Sequence, residues 1–578
     1  MSAVTPTVSD IPLSAGEFRN LAECLDYAAQ GRTGLNFHDA RGRLSEAVPY
    51  ALLRQRAIAT ARRLLSLGLR RGDRVAVLAE TSSTFPEVFF ACQYAGLVPL
   101  ALPAALNLGG HNAFVDQLRR LLAVARPRAV VSGDDFLAFV QEAADAPDAP
   151  TVYSPDGLSA LPEADVTLQP TGPDETAYLQ FTSGSTSAPR GVVIRQQAVM
   201  ANLHGILRHG LAINAEDRCV SWLPFYHDMG MVGMLLGPVA SQRSVDFLGT
   251  RDFAVRPLQW LRLMSRNRGT IAFAPPFGYN LCKRRLGSTD AADLDLSAWR
   301  VAGVGAELIR PEQLEAFAEA LAPSGFDPSA FCACYGLAEA SLAVSFATHG
   351  RGLEWEEADA DAMAEEGVVR PTPGAGQGRR LVVCGQPLPD HEVVIRDANG
   401  DPLANGRIGH ITIRAPSVMS GYDNDAAASR EALDSEGWLW TGDLGCLTPG
   451  GLVVTGRSKD LIIVNGRNIW PEDVEQRIEN EAGLRSGDVS AFSVADDDGD
   501  DEVIVVAQCR ERDSEGQAAL RQRVVSVVQA HFGVRPVVDL VGPSGLPRTS
   551  SGKLSRSTAR VEFLDRRAQR ARTEPAAE

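Results

Sequence analysis

No apolar run in these 578 residues approaches the ~20 that a helix needs to cross a bilayer. The start of the chain has no basic segment followed by an apolar one, its first basic residue being Arg19, so no secretory leader is expected. Positive charge is short as well. The formal net charge of −16 argues against nonspecific binding to nucleic acid and against docking on an anionic membrane. CxxC pairs are missing, and an odd, dispersed set of nine cysteines reads as reduced, mostly buried thiols of a cytoplasmic protein. Cys332 and Cys334 stand closest together but have no partner ligands nearby, so they read as strand core, not as a metal pair. No internal repeat is found. What is present is ordinary for a globular protein: 45% apolar and 22% charged residues, over a length that calls for two or more folding units.

Along the first third, helical and β-branched runs alternate. Residues 18–29, 50–67, 85–95 and 113–124 carry apolar positions at helical spacing, and 35–38, 73–78, 98–102 and 128–131 read as short buried strands. That rhythm predicts an α/β class with a largely parallel sheet. Residues 143–173, rich in Ala, Asp and Pro, read as a surface connector. The rhythm resumes through residues 198–208, a helix, and 218–222, a strand, and breaks at 349–380, which is Gly-, Arg- and acid-rich. Past Cys384 short alternating strands predict a small β subdomain, and a further α+β unit begins near Arg457.

The stretch that organises the rest is residues 178–194. A β-prone lead-in gives way to Thr182, Ser183, Gly184, Ser185 and Thr186, all hydroxyl-bearing or glycine, and a second β-prone run follows. Small residues expose backbone N–H groups and the hydroxyls add donors, so such a loop can wrap a polyphosphate. No Gly-Lys-Ser/Thr closes it and a strand is predicted after it, so it is not a Walker A loop. Alone it reads equally well as a polar hairpin turn. Further along stand Trp222 to Gly230 (Trp-Leu-Pro-Phe-Tyr-His-Asp-Met-Gly), Gly305-Ala306-Glu307, Tyr335-Gly336-Leu337-Ala338-Glu339, Trp440-Thr441-Gly442-Asp443, Gly456-Arg457-Ser458-Lys459-Asp460 and Pro547-Arg548-Thr549-Ser550-Ser551-Gly552-Lys553. Taken singly each has a plain alternative: Tyr335 as core packing, Glu339 as a surface acid, Asp443 in an ordinary turn, Lys553 as a solvated lysine, and His227 as a structural histidine bonded to Asp228.

In this order the segments resemble the adenylate-forming superfamily of acyl-CoA synthetases, peptide-synthetase adenylation domains and luciferases, over nearly the whole chain. Within it they are most similar to the fatty acyl-AMP ligases, through residues 179–186, 222–230 and 464–473. One departure is Arg190, where the superfamily usually has a lysine; it keeps the charge but not the compact ammonium. The resemblance implies ATP as the nucleotide, with Thr182 to Thr186 on its phosphates and Gly305, Ala306, Glu307, Gly336, Leu337 and Ala338 beside the adenine. Tyr335 would stack on the purine, and Glu339 would hold Mg²⁺. Asp443 would accept from the ribose hydroxyls, with Arg457 near ribose and phosphate. Lys459 would be the hinge, Lys553 the catalytic lysine, and Trp222, Phe225, Tyr226, His227, Gly230 and Phe277 the acyl side, His227 acting as a gate.

The same resemblance implies residues 1–456 as a large adenylate-forming domain and 457–578 as a mobile lid. A fatty acid would be activated to an acyl-adenylate and passed to the phosphopantetheine of a separate acyl carrier protein, since no carrier domain is found in the chain. Alternatives are a CoA ligase and a binding protein without turnover. Fatty acyl-AMP ligases carry an insertion where residues 349–380 stand. With Trp355 and Met363 as its apolar anchors, the segment is expected to pack between the two domains and restrict the rotation that opens a CoA channel.

Overall fold

The computed structural model describes the chain apart from residues 1–2, 9–10, 105–109, 147–148, 183–188, 288–289, 373–377, 465–466, 496–500, 549–553 and 574–578. Its architecture is α/β, a large domain of several sheets followed by a smaller C-terminal domain. Among the described residues, no helix is long and apolar enough to cross a membrane.

Alternation along single strands explains how the sheets are buried. In Arg74–Leu78, Val75 and Val77 face one apolar core while Ala76 and Leu78 face another, so the strand is apolar throughout without being a helix. The second of those cores is closed by Gly110–Ala125, whose Phe114, Leu118, Leu121, Leu122 and Ala125 form a buried stripe. The first is shared with helix Tyr50–Ser66, buried at Leu53, Ala57, Thr60, Ala61 and Leu64, and with Thr84–Ala95, which is buried on every side. The six-stranded sheet runs Thr151–Tyr153, Ala129–Val131, Arg74–Leu78, Val98–Leu102, Thr176–Thr182, Arg190–Arg195, parallel except for its last pair. Its first strand, with helix Pro155–Ser159, lies inside the span expected to be a bare connector. A strand of three residues, Thr-Val-Tyr, was too short a signal there.

In the nine-stranded sheet six strands run parallel, in the order Phe331–Gly336, Val301–Val304, Ile271–Ala274, Arg218–Ser221, Ser244–Leu248, Gly34–His38. Parallel strands end on one edge, and that edge is where α/β sheets offer loops for ligands. The β subdomain is an antiparallel meander of Glu392–Arg396, Gly409–Arg414, Leu439–Thr448 and Gly451–Arg457. The small domain packs helices Pro471–Glu481 and Ser514–Phe532 on the sheet of Val489–Ala495, Asp501–Gln508 and Val537–Val541.

The acid-rich segment is folded over its described residues. Trp355–Ala358 pairs antiparallel with Arg379–Val382, and the short helix Ala362–Glu366 lies between them. Met363 is an anchor as expected, 1% exposed in a cluster with Ala358, Leu381, Val383, Cys446, Val453 and, from the small domain, Trp470. Trp355 is not: it is 39% exposed, with the Arg380 guanidinium over its ring at 5.0 Å. Ion pairs link the segment to the small domain, Arg379 to Asp473 (3.0 Å) and Asp361 to Arg467 (3.3 Å). The segment therefore does pack between the two domains.

Candidate functional site

The two β-prone runs expected on either side of the loop are strands Thr176–Thr182 and Arg190–Arg195, paired antiparallel with Thr182 opposite Arg190. Its tip, with Ser183, Gly184, Ser185 and Thr186, lies outside the described residues, as does Lys553. Arg190 sits 5.4 Å over the Tyr422 ring and 3.8 Å from the Asp425 carboxylate, so its charge is held at the base of the hairpin. Tyr422 also bridges to the strand at Val192.

Four of the expected residues are brought together around this hairpin. Gly305, Ala306 and Glu307 follow strand Val301–Val304, and Tyr335 to Ala338 end the neighbouring parallel strand Phe331–Gly336, so both segments emerge on one edge. Ala306 is exposed in a left-handed conformation, φ +68°, which costs an alanine about 1 kcal/mol and makes it a strained residue at a strand end. The Tyr335 hydroxyl donates to Asp443 Oδ2 (2.7 Å), and burial together with that carboxylate holds its proton on well above the usual phenol range. Arg457 Nε lies 3.2 Å from Asp443 Oδ1; Asp443 is the largest of the charges that raise the guanidinium pKa, with Asp460, Tyr335 and Glu339 adding to it. Glu339 Oε1 accepts from the Tyr422 hydroxyl (2.8 Å), and burial pushes its carboxyl pKa up.

Asp443 is not in a turn. It lies within the ten-residue strand Leu439–Thr448, directly opposite Arg457. Residues 441–443 face the single Ile411, a bulge that Gly442 permits at φ +77°. Thr441 pins the bulge, its Oγ1 donating to the Ile411 carbonyl (2.9 Å) and accepting from the Asp443 N–H (3.1 Å). Bulges re-aim side chains, and this one turns the carboxylate toward Tyr335.

The acyl-side motif divides. Trp222 and Phe225 are core side chains, Trp222 stacked on Phe253 at 3.8 Å and Phe225 on Phe85 at 5.2 Å. Phe277 meets the Trp222 ring edge at 5.7 Å and is part-exposed. The Tyr226 carbonyl accepts from Gln180 on the hairpin strand (2.7 Å), while burial lifts its own hydroxyl pKa to about 12. His227 Nδ1 and Asp228 Oδ1 are 2.6 Å apart, and the same Oδ1 accepts from the Met229 N–H (2.7 Å), capping the helical turns Met229–Leu236. Gly230 is obligatory here, since a Cβ would come within 2.1 Å of the Pro224 carbonyl oxygen.

Lys459 is exposed in the turn of residues 458–460 that follows strand Gly451–Arg457. Ser458 N–H donates to the Gly442 carbonyl (3.0 Å), so the turn is tied to the Asp443 bulge. Sequence reasoning missed Tyr422 and Arg556, and quoted Thr441 without giving it a role. An aromatic in the Ser420-Gly421-Tyr422 turn was a signal for the first. Nothing marked Arg556, which collects Asp460 (3.1 Å), Glu472 (2.7 Å) and Glu475 (2.7 Å) from positions remote in the chain.

Residues 34–423 match the model of the AMP-binding enzyme family. The chain is 45% identical over 567 residues to a Caulobacter vibrioides protein provisionally described as an acyl-CoA synthetase, covering 97% of this chain and 98% of that one. It is 30% identical over 585 residues to a medium-chain-fatty-acid–[acyl-carrier-protein] ligase of Moorena producens, 96% of each. A solved chain from a study of fatty acyl-adenylate ligases of E. coli and L. pneumophila superposes with TM-score 0.91 at 48% identity, over 97% of this chain and 100% of that one. With these likenesses running the length of both domains, the chain belongs to the AMP-binding enzyme family and is an AMP-forming ligase of the fatty acyl-AMP ligase type, using ATP to make an acyl-adenylate.

Proposed function

We propose that this enzyme activates a fatty acid with ATP and hands the acyl group to the phosphopantetheine thiol of a separate acyl carrier protein. The observation that carries this reading is the folded segment 349–380, wedged against the small domain through Met363, Arg379 and Asp361. A lid so braced is restricted in the rotation that would form a channel for CoA. The relatives' names divide on the acceptor, one a carrier-protein ligase and one described as a CoA synthetase. Offering purified enzyme both CoA and a holo-carrier protein decides it: acyl-CoA formed as fast as adenylate would overturn the reading.

The carboxylic acid, with a pKa of about 4–5, is ionised at neutral pH and needs no base. The obstacle is anion meeting anion. Donors of Thr182 to Thr186 and the Lys553 ammonium would offset the charge of the α-phosphate and departing pyrophosphate. Glu339 suits Mg²⁺ held jointly with phosphates, its part-buried carboxylate oriented by the Tyr422 hydroxyl on Oε1. Bound there, the ion would supply charge neutralisation. Tyr335 and Ala306 would flank the adenine, and the domain boundary at 456/457 would let the lid turn about Lys459 between the two half-reactions.

Asp443 as the ribose acceptor has a structural consequence. A carboxylate has about four lone-pair sites; Tyr335 and Arg457 use two, leaving two for the ribose hydroxyls. Asp443→Ala should raise the KM for ATP roughly 10- to 100-fold, equivalent to about 1.5–3 kcal/mol, and leave that for fatty acid nearly unchanged. Unaltered ATP dependence would refute the ribose assignment.

His227 is the gate in this reading. Its removal leaves Asp228 still capping Met229, so the fold should lose little. His227→Ala is expected to slow acyl-adenylate formation on the order of 10²-fold, with a Tm change under about 3 °C. A structural histidine would give the reverse, a clear fall in Tm with activity kept.

A further inference from the structure

A second surface stands out on this acidic chain. Strands Gly34–His38 and Ser244–Leu248 are parallel neighbours, so the loop after one and the helix Thr250–Val255 after the other meet on one edge of the sheet. There Arg41, Arg43, Arg251 and Arg256 line a surface cleft of about 330 Å³ together with Val255. Asp39 holds the loop in shape, accepting from the backbone N–H groups of Arg41 (2.8 Å) and Arg43 (2.9 Å), and pairs with the Arg43 guanidinium (2.8 Å). Arg256 Nη1 reaches the Ala40 carbonyl (3.4 Å) and ties the two segments together. Arg41, Arg251 and Arg256 form no ion pair among the described residues, and the cleft's only carboxylates are Asp39 and Asp252. A local positive charge is thus kept, solvated and unspent, on a chain of net −16.

The patch lies directly behind the acyl-side motif. From the inner face of the same short helix Phe253 stacks on Trp222 (3.8 Å, 5° between planes), and Thr250 Oγ1 donates to the Trp222 carbonyl (2.8 Å). Val255 points outward and is 66% exposed. Arginines beside an exposed apolar side chain suit a protein interface, and a positive patch on a negative body both steers and orients an acidic partner. The exposed Val255 in the lining favours a protein surface over a bare phosphate.

We propose that the cleft docks an acidic face of the carrier protein, delivering its thiol to the acyl-side motif; the inference rests on the carrier reading above. The test is the double charge reversal R251E/R256E, both residues exposed and outside the proposed catalytic machinery. The acceptors are a holo-acyl carrier protein of fatty-acid synthesis, free pantetheine and CoA. The expected result is a KM for the carrier at least tenfold higher, with pyrophosphate exchange and transfer to pantetheine within twofold of the unmodified enzyme. Added salt should weaken carrier use by the unmodified enzyme and narrow the gap. An unchanged KM for the carrier overturns the docking inference alone. Equal losses with carrier and CoA overturn it in favour of phosphate binding. No transfer to the carrier by the unmodified enzyme overturns the carrier reading and the docking inference with it.

Discussion

Alanine in place of Lys553 is expected to slow acyl-adenylate formation by about 10²- to 10³-fold, the range for losing one preorganised charge at a developing anion. Transfer from preformed acyl-adenylate to the thiol should stay within a few-fold of the unmodified enzyme. The asymmetry follows from where the lysine would stand in the two steps. In the first it would meet the charge of the α-phosphate and the departing pyrophosphate; when the thiol displaces AMP in the second, the proposed turn of the lid has carried it away. The flanks of the lysine segment are well held in the small domain. Arg548 and Leu554 pair in an antiparallel bridge, and Arg548 also donates to the Gly487 carbonyl (2.8 Å). Arg556, just beyond, is bound by Asp460, Glu472 and Glu475, and Asp460 adjoins the proposed hinge Lys459. The flanks of the lysine segment and the hinge turn therefore belong to one ion-paired body, and a turn at Lys459 would carry both. Pyrophosphate exchange and single-turnover transfer, measured separately, check the split. Equal losses in both would mean that the lysine serves the fold or both steps, and the two-position scheme would fall.

The elements of this fold that were legible in the sequence are those with a long period. Helix Tyr50–Ser66 and strands Arg74–Leu78 and Val98–Leu102 stand within a residue of where apolar spacing predicts them. Helix 198–208 was legible only in part: it begins at Gln196 and gives way after His204 to the wider turns Gly205–Gly210. Apolar spacing does not separate a 3.6-residue period from a locally wider one over two turns. At the site the sequence located residues but not their bonding. The partnership of Tyr335 with Asp443 crosses 108 positions and depends on a bulge whose sole local sign is Gly442. Trp355 misled for a related reason. An aromatic in a polar stretch reads as an anchor, yet a single strand pair leaves one face to solvent, and Arg380 covers its ring instead.

Arg379 is where the insertion and the small domain are joined most firmly, and its replacement by alanine is expected to raise acyl-CoA formation roughly tenfold. Its Nε lies 3.0 Å from Asp473, its guanidinium is 5.2 Å over the Trp470 ring, and its side chain is largely buried. A charge-assisted bond with a partly desolvated cation–π contact contributes about 2–4 kcal/mol to the docked arrangement. Burial already pushes the Asp473 carboxyl pKa up and Arg379 offsets it, so without the arginine the pKa rises further and the net loss falls toward the lower end. Loosening the brace by that amount frees the lid to reach orientations that the insertion otherwise blocks. Cutting out residues 350–378 would be a cruder test, because Ala358 and Met363 would leave the cluster that also holds Val453 and Trp470. That loss, about 2–5 kcal/mol for a buried methionine alone, would damage the enzyme before it freed the lid. The single substitution should leave acyl-adenylate formation within about threefold, since Arg379 is remote in the chain from every proposed phosphate ligand and adenylation needs the lid only in its first position. Adenylate and acyl-CoA are quantified on the same preparation, with Tm recorded. A variant that keeps its Tm and adenylation but makes no more acyl-CoA than the parent would show that the insertion does not set the acceptor.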